Sequence, residues 1–175
     1  KENGDFISAV PFKRVKRIYE FDSRMRGILF EAIEDIEIYL RTQLAYYHAH
    51  TYGSLGYMDK DNFSDKHDAV KFQEKIEQCL KENEKTLVVR HHMEKYGGRF
   101  PLWVIIEFFS MGMLSHFYQD MKTTDKKKIA LIYETGIKQL ASWLRCLTDL
   151  RNRIAHYSRL YYWQFPAKPK MPTKH

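Results

Sequence analysis

The carboxyl-terminal part of the chain combines residue types that can move protons and bind phosphate. Arg151, Asn152 and His156 lie within six residues, and Arg159 follows three residues later. Imidazole titrates near neutral pH, so His156 can act as a general base or a general acid. Guanidinium stays charged and its fork of donors matches phosphate oxygens. The amide of Asn152 could orient the imidazole or contact phosphate.

These groups meet the chemical needs of RNA cleavage. A proton must leave the 2′-hydroxyl, charge must be stabilised on the phosphorane, and the departing 5′-oxygen must be protonated. His156 can carry the protons and Arg151 can stabilise the charge. The scheme requires no metal and no other cofactor.

A helix is predicted to position these groups. An apolar stripe recurs at steps of three and four upstream and within the motif, and it consists of Leu140, Trp143, Leu147, Leu150 and Ile154. This period is typical of a helix that packs one face on a core. A second set lies on the opposite face and consists of Arg145, Asp149, Asn152, His156 and Arg159. From spacing alone, solvated surface is the better explanation of this second face.

Arg151 and His156 diverge on such a helix. In a straight helix their side chains are about 140° apart, with Arg151 near the edge of the apolar stripe. In one copy of the segment, the Arg151 and His156 side chains therefore point too far apart to contact one phosphate easily. A symmetric dimer with two copies lining one cleft would remove the conflict, as would a distorted helix, and we favour the dimer.

Three charged residues elsewhere are candidates for supporting the site. Glu37 and Arg41 lie four residues apart in a long helical pattern, where they could form a weak surface ion pair. Glu107 follows an apolar run that starts after Pro101, and we expect its carboxylate to be buried. A buried carboxylate must be protonated or paired, so we expect it to contact an arginine such as Arg41 or Arg151.

Aromatic residues alternate with arginines around and after the histidine. Five aromatic residues interleave with Arg153 and Arg159, and they are Tyr157, Tyr161, Tyr162, Trp163 and Phe165. Such a mixture can stack unpaired bases and hold phosphates, which predicts contact with single-stranded RNA. The alternative is that at least half of these aromatic residues close the core beneath the tail.

The rest of the chain has helical periodicity and no convincing strand, which predicts an all-α fold. A short basic helix is predicted around residues 12–18. Asp22 and Ser23 are expected to cap a second helix of about seven turns that stops at Gly53. Further helices are predicted around residues 69–80 and 87–92, the second ending at Gly97 and Gly98, and another is capped by Thr124 and Asp125. A nearly all-round apolar helix, which we expect to be buried, follows Pro101, and residues 110–112 interrupt or kink it before residues 113 and 114 resume it.

The composition fits one folded domain. The chain has 175 residues, of which 44% are hydrophobic, so it can bury a sizeable core. We predict a single domain over residues 1–165 and an extended tail of prolines and lysines over residues 166–175. The net charge of +7 suits a polyanionic partner, although a solvated basic surface explains it as well.

The chain contains few cysteines and no long apolar run. Cys79 and Cys146 show no close pairing, which favours a reducing compartment. The longest apolar run, residues 102–114, falls short of the roughly 20 residues that a membrane span needs. These observations predict a cytoplasmic protein with no membrane contact.

Several motifs resemble one known family, in the same order. Arg151 and His156 match the Arg-x4-His signature of HEPN domains, and the extension into Arg159-Leu160-Tyr161 resembles the closing motif of the Abi-like family of abortive-infection proteins. The middle of the chain resembles that family through Pro101-Leu102-Trp103, Glu107, Ser110, Gly112 and Leu114-Ser115. Near the start, Tyr19-Glu20-Phe21-Asp22 and Arg26 resemble it too, as does the Glu37/Arg41 pattern.

The resemblance implies an HEPN-like helical bundle with extra helices, and a further helical segment upstream that we expect to be absent here. It implies a metal-independent endoribonuclease that leaves 2′,3′-cyclic phosphate and arrests growth during phage infection. Arg151 and His156 would be catalytic and Asn152 supporting. The partners would be substrate RNA, a second copy of the chain, and a protein or RNA antitoxin.

Two other classes of function remain open to a chain of this sequence. A non-catalytic module of the same fold, binding RNA or a protein partner, is the leading alternative because active and inert HEPN domains share the motif. A metal-dependent hydrolase is disfavoured. Neither His48 and His50 nor His91 and His92 have the four-residue spacing of a helical zinc pair.

Overall fold

This computed structural model describes residues 11–171 of the chain. Within them lie seven α-helices and three short 3-10 turns, joined by loops. The helices are α1 (Phe12–Tyr52), α2 (Ala69–Glu82), α3 (Leu87–Tyr96), α4 (Leu102–Ile105), α5 (Met111–Asp120), α6 (Thr123–Ile132) and α7 (Ile137–Ala155). The turns are Gly56–Met58, Lys60–Asn62 and Ile106–Phe108. Between residues 11 and 171 there is no strand, only an isolated bridge of Phe63 to Met121, so the all-α prediction is confirmed.

Helix α1 is one continuous rod of 41 residues, roughly 60 Å long. The prediction of two helices with a cap at Asp22 is wrong. Asp22 lies inside α1 and is buried, because its carboxylate bonds to a different part of the chain. The predicted stop is confirmed, since Gly53 follows the last turn with a φ of +83°. A positive φ of this kind favours glycine.

The main core lies where α1, α5 and α7 pack against one another. Its fully buried side chains include Leu40 and Leu44 of α1, Leu114 and Tyr118 of α5, and Leu144 of α7. Apolar burial of this extent is the main force holding the helices together.

A smaller cluster joins α1 to the end of α7. Ile33, Ile154 and Leu160 are buried in it, and Trp163 packs against it. Because Leu160 lies beyond α7, the cluster fixes both the end of the helix and the segment that follows.

Helix α4 departs from the predicted buried helix. It has only four residues before the 3-10 turn, and Trp103 is 54% exposed. The predicted interruption near Ser110 is confirmed, and the Ser110 hydroxyl accepts a hydrogen bond from the Met113 amide at 3.3 Å. That bond caps α5.

Residues 166–171 form neither helix nor strand, and their backbone lies against α7. The Trp143 indole donates to the Lys170 carbonyl at 2.8 Å, and the Lys170 amide donates to the Ser142 hydroxyl at 3.0 Å. Residues 172–175 of the predicted tail lie outside the described residues, and the domain boundary at 165 stays a prediction.

Helix α6 and α1 meet at a buried polar cluster. The predicted cap at Thr124 and Asp125 is wrong, because α6 begins at Thr123 and Asp125 points into the protein. There it accepts a hydrogen bond from the Tyr52 hydroxyl at 2.7 Å. His48 lies beside Tyr52, and neither of its ring nitrogens has a hydrogen-bond partner among residues 11–171. Burial lowers the pKa of His48 to about 4, although nearby Asp125 opposes the shift.

His48 should make the protein less stable as the pH falls. The unfolded chain binds a proton at His48 below pH 6.5, whereas the folded chain does so only below about 4. The free energy of unfolding should therefore fall by about 2 kcal/mol between pH 7 and pH 5. His48→Phe should remove most of that decrease in urea unfolding, whereas His116→Gln, at an exposed histidine, should leave it. An unchanged pH slope in His48→Phe would contradict the assignment.

Candidate active site at the end of α7

The segment after α7 is fixed to α1 by one buried carboxylate. Oδ1 of Asp22 accepts hydrogen bonds from the amides of Leu160 at 2.8 Å and Tyr161 at 2.7 Å. Oδ2 of the same residue pairs with Arg26 one turn later on α1. We call this arrangement of Asp22, Arg26 and the two amides the Asp22 clamp. It holds the segment that follows His156 in one position.

His156 terminates α7 and is exposed to solvent. The Tyr157 amide donates to the Ile154 carbonyl and the Ser158 amide donates to the Arg153 carbonyl, each at 3.0 Å. These two bonds form a Schellman motif, which ends the helix. Arg159 therefore lies beyond the helix, and the prediction that it shares a helical face with His156 is wrong.

The Schellman motif places Tyr157 in a left-handed conformation. Its φ is +53°, and its side chain is exposed. Left-handed backbone costs a residue with a Cβ roughly 1–2 kcal/mol, a cost that glycine avoids. Tyr157→Gly should therefore raise the free energy of unfolding by about 1 kcal/mol in urea titrations. Tyr157→Ala keeps the Cβ and serves as the control, and an equal gain in both variants would argue against backbone strain.

Arg151 joins a network of charges with α1. Its Nε lies 3.7 Å from Oε2 of Glu37, and Oε1 of Glu37 lies 3.0 Å from Nη2 of Arg41. The side chains of Glu37 and Arg41 are only 13% and 15% exposed, so the predicted surface pair is instead nearly buried. Ion pairs that lose water contact in this way interact more strongly than exposed ones.

Glu107 belongs to the edge of this network. Its Oε2 lies 3.5 Å from Nη1 of Arg41, so the expected pairing with an arginine is confirmed for Arg41. The expected burial is wrong, since the Glu107 side chain is 62% exposed. The 3-10 turn ends the apolar helix early, which leaves Glu107 facing solvent.

One chain does not bring the two predicted catalytic side chains into one cleft. A cleft of about 200 Å³ lies beside Arg151 and is lined also by Glu34, Glu37 and Arg41. His156 does not line it. Arg151 faces α1, whereas His156 is exposed at the helix end.

Comparison with known proteins identifies the family. The model of the Abi-like protein family matches residues 1–162. The chain belongs to the Abi-like family. The match covers α1, the Asp22 clamp and the whole Arg151–Tyr161 segment of this Abi-like chain. No curated protein and no solved structure matches it. None of the helices between residues 11 and 171 has both the length and the apolar character needed to cross a membrane.

Among the predicted RNA-binding residues of the Abi-like chain, Arg153 contacts other parts of the chain, whereas the others are exposed to solvent or nearly so. Arg153 donates through Nε to the Arg159 carbonyl at 2.7 Å, and its guanidinium lies 5.0 Å from the centre of the Trp163 ring. It therefore supports the loop after α7. The side chains of Asn152, Arg159 and Tyr157 are exposed, and Tyr161 is at the margin of exposure.

Sequence reasoning missed the role of the Asp22 clamp in this Abi-like chain. A signal for it exists, because Asp22 and Arg26 occupy core positions of the same helical stripe as Met25, Leu29 and Ile33. A charged pair at core spacing indicates a buried ion pair. Periodicity alone could not identify its distant backbone partners.

Proposed function

We propose that this Abi-like chain is a metal-independent endoribonuclease of an abortive-infection system, built on an HEPN-type helical bundle. The observation that carries the proposal is that His156 is exposed at the end of α7, on a segment fixed by the Asp22 clamp. A general acid or base must reach its substrate while being held in position.

His156 and Arg151 divide the chemistry between them. The 2′-oxygen attacks phosphorus to form a 2′,3′-cyclic phosphate while the bond from phosphorus to the 5′-oxygen breaks. One His156 accepts the 2′-hydroxyl proton, and a second His156 donates a proton to the leaving 5′-oxygen. Arg151 stabilises the phosphorane with its two Nη groups, since its Nε faces Glu37.

A homodimer supplies the second histidine. Within one chain, Arg151 faces the α1 cleft and His156 faces solvent. In the proposed dimer, Arg151 of one protomer and His156 of its partner contact the same phosphate. Isologous pairing then creates two such arrangements in one cleft.

The remaining predicted residues support this reaction. Asn152 orients His156 or contacts phosphate, Tyr157 and Tyr161 stack unpaired bases, and Arg159 binds the backbone. Arg153 acts on RNA through the loop that it supports. The enzyme acts in the cytoplasm, and a protein or RNA antitoxin restrains it.

The test is cleavage of a labelled single-stranded RNA by the purified protein in EDTA. The proposal predicts cleavage that survives chelation and leaves 2′,3′-cyclic phosphate ends. Loss of cleavage on chelation would favour metal-dependent hydrolysis instead. Products with 3′-hydroxyl ends would also contradict the scheme, because attack by the 2′-oxygen cannot form them.

A second candidate function is a non-catalytic module that binds RNA or a protein. It is favoured by the pairing of Arg151 with Glu37 and by the contact of Arg153 with Trp163, which engage both arginines internally. RNA binding without cleavage, equal in the parent and in His156→Ala, would support this module.

A further inference from the structure

The amino-terminal part of α1 is strongly basic. Residues 12–28 contain six basic and two acidic residues, whereas residues 29–40 contain four acidic residues and no basic ones. The charge therefore changes sign along one helix. A polyanion would be attracted to residues 12–28 and repelled from residues 29–40.

The basic residues of this part form a stripe around an aromatic ring. Arg14, Arg17, Phe21 and Arg24 lie within an arc of about 80° on α1. All four are exposed, and Phe21 is 54% exposed. We call these four residues the α1 stripe.

The α1 stripe continues into the loop after α7. The Phe21 and Tyr161 rings meet edge to face with centres 6.0 Å apart, and the Tyr161 and Tyr162 rings follow at 4.4 Å. The Asp22 clamp holds the Tyr161 backbone beside α1, which keeps the Tyr161 ring next to Phe21.

Tyr162 is exposed in a way that core packing does not explain. It has a φ of +64° and its side chain is 90% exposed. A left-handed tyrosine is unfavourable, and a ring in water gains no burial energy in return. The Trp163 amide donates to the Leu160 carbonyl at 2.9 Å and closes a turn at this position. The turn presents the Tyr162 ring to solvent, where an unpaired base can stack on it.

We infer that the α1 stripe and the rings of Tyr161 and Tyr162 form a binding surface for an unpaired RNA segment next to the cleavage position. This inference rests on the proposed function for the identity of the ligand. Bases stack on the three rings while the arginines bind phosphates, the combination typical of sites for single-stranded nucleic acid. The acidic residues beyond Ile28 keep the strand from following α1 further and direct it towards the loop and His156.

The test measures binding separately from cleavage. The probe is an unstructured fluorescent RNA of roughly 12 nucleotides, within the usual site size for single strands, with every 2′-oxygen methylated. Methylation removes the attacking hydroxyl, so anisotropy reports binding alone. If the protein binds the methylated RNA but does not cleave the unmodified RNA, the binding surface is supported and the nuclease proposal is refuted. The binding surface and the nuclease activity can therefore fail independently.

Two kinds of variant test base stacking and phosphate binding separately. Phe21→Ala should weaken binding about tenfold, as expected for one lost stacking contact, and Phe21→Trp should restore it. Arg14→Glu with Arg17→Glu should weaken binding and lower the salt slope by about 1.4. Lys127→Glu with Lys128→Glu makes the same charge change on the exposed face of α6 and should have little effect.

Several results would overturn the inference. One is equal loss of binding in the α1 and α6 charge variants, which would indicate net charge alone. Another is failure of Phe21→Trp to restore binding in a protein that unfolds normally. Changed mass in the α1 variants with unchanged RNA binding would assign the stripe to a second copy of the chain. Binding of the stripe to phosphatidylserine vesicles, with none to RNA, would assign it to a membrane surface.

Discussion

His156→Ala should lower the rate constant of RNA cleavage by at least about a hundredfold. General acid or base catalysis typically contributes about 10²- to 10⁴-fold, and in the proposed dimer each site loses both its acid and its base. Because His156 is exposed, the substitution should leave the free energy of unfolding nearly unchanged. Single-turnover cleavage of a labelled RNA measures the change.

His116→Ala is the matched control for that experiment. His116 is also exposed, but it lies on α5 outside the Arg151–Tyr161 segment. Its substitution should leave the cleavage rate unchanged. Equal cleavage by the parent, His116→Ala and His156→Ala would remove His156 from the mechanism.

Asp22→Ala should cost about 3–5 kcal/mol of stability, because it leaves Arg26 buried without its partner. It also deprives the Leu160 and Tyr161 amides of their acceptor. Cleavage should fall as well, since the segment after His156 loses its attachment to α1. Urea unfolding gives the first quantity, and cleavage below the unfolding transition gives the second.

Glu20→Ala supplies the comparison on the same helix. Glu20 pairs with Lys16 at 3.7 Å, but both side chains are largely exposed. Exposed pairs of this kind contribute about 0–1 kcal/mol, so this variant should stay near the parent. If Asp22→Ala loses no more stability than Glu20→Ala, the Asp22 clamp does not hold the loop as described.

Local sequence signals predicted the ends of helices well where the backbone conformation of one residue stops the helix. Gly53 and Gly97 end α1 and α3 because both positions have positive φ, which glycine adopts without strain. Such features depend on neighbours in sequence, so a single chain reveals them. The period of α7 predicted the burial of Leu140 and Ile154, but Trp143, Leu147 and Leu150 are only partly buried. The buried Leu144 and Cys146 lie outside the predicted stripe.

The errors arose where a distant segment decided the environment of a residue. Asp22 looked like a helix cap, but its partners are the amides of residues 160 and 161. Glu107 looked buried, but the short turn after α4 exposes it. The Arg151 contact with Glu37 joins residues far apart in the chain, and periodicity carries no information on such pairs.

Mixing the parent with His156→Ala tests most directly whether one cleft needs His156 from both protomers. After subunit exchange of an equal mixture, about a quarter of the dimers are parent pairs and about half are mixed, and a mixed dimer has only one His156. The mixture should therefore retain about a quarter of the activity of the same total amount of parent, whereas chains that act independently would retain about half. Retention of about half, with exchange verified by energy transfer between labelled subunits, would contradict a site shared between two protomers.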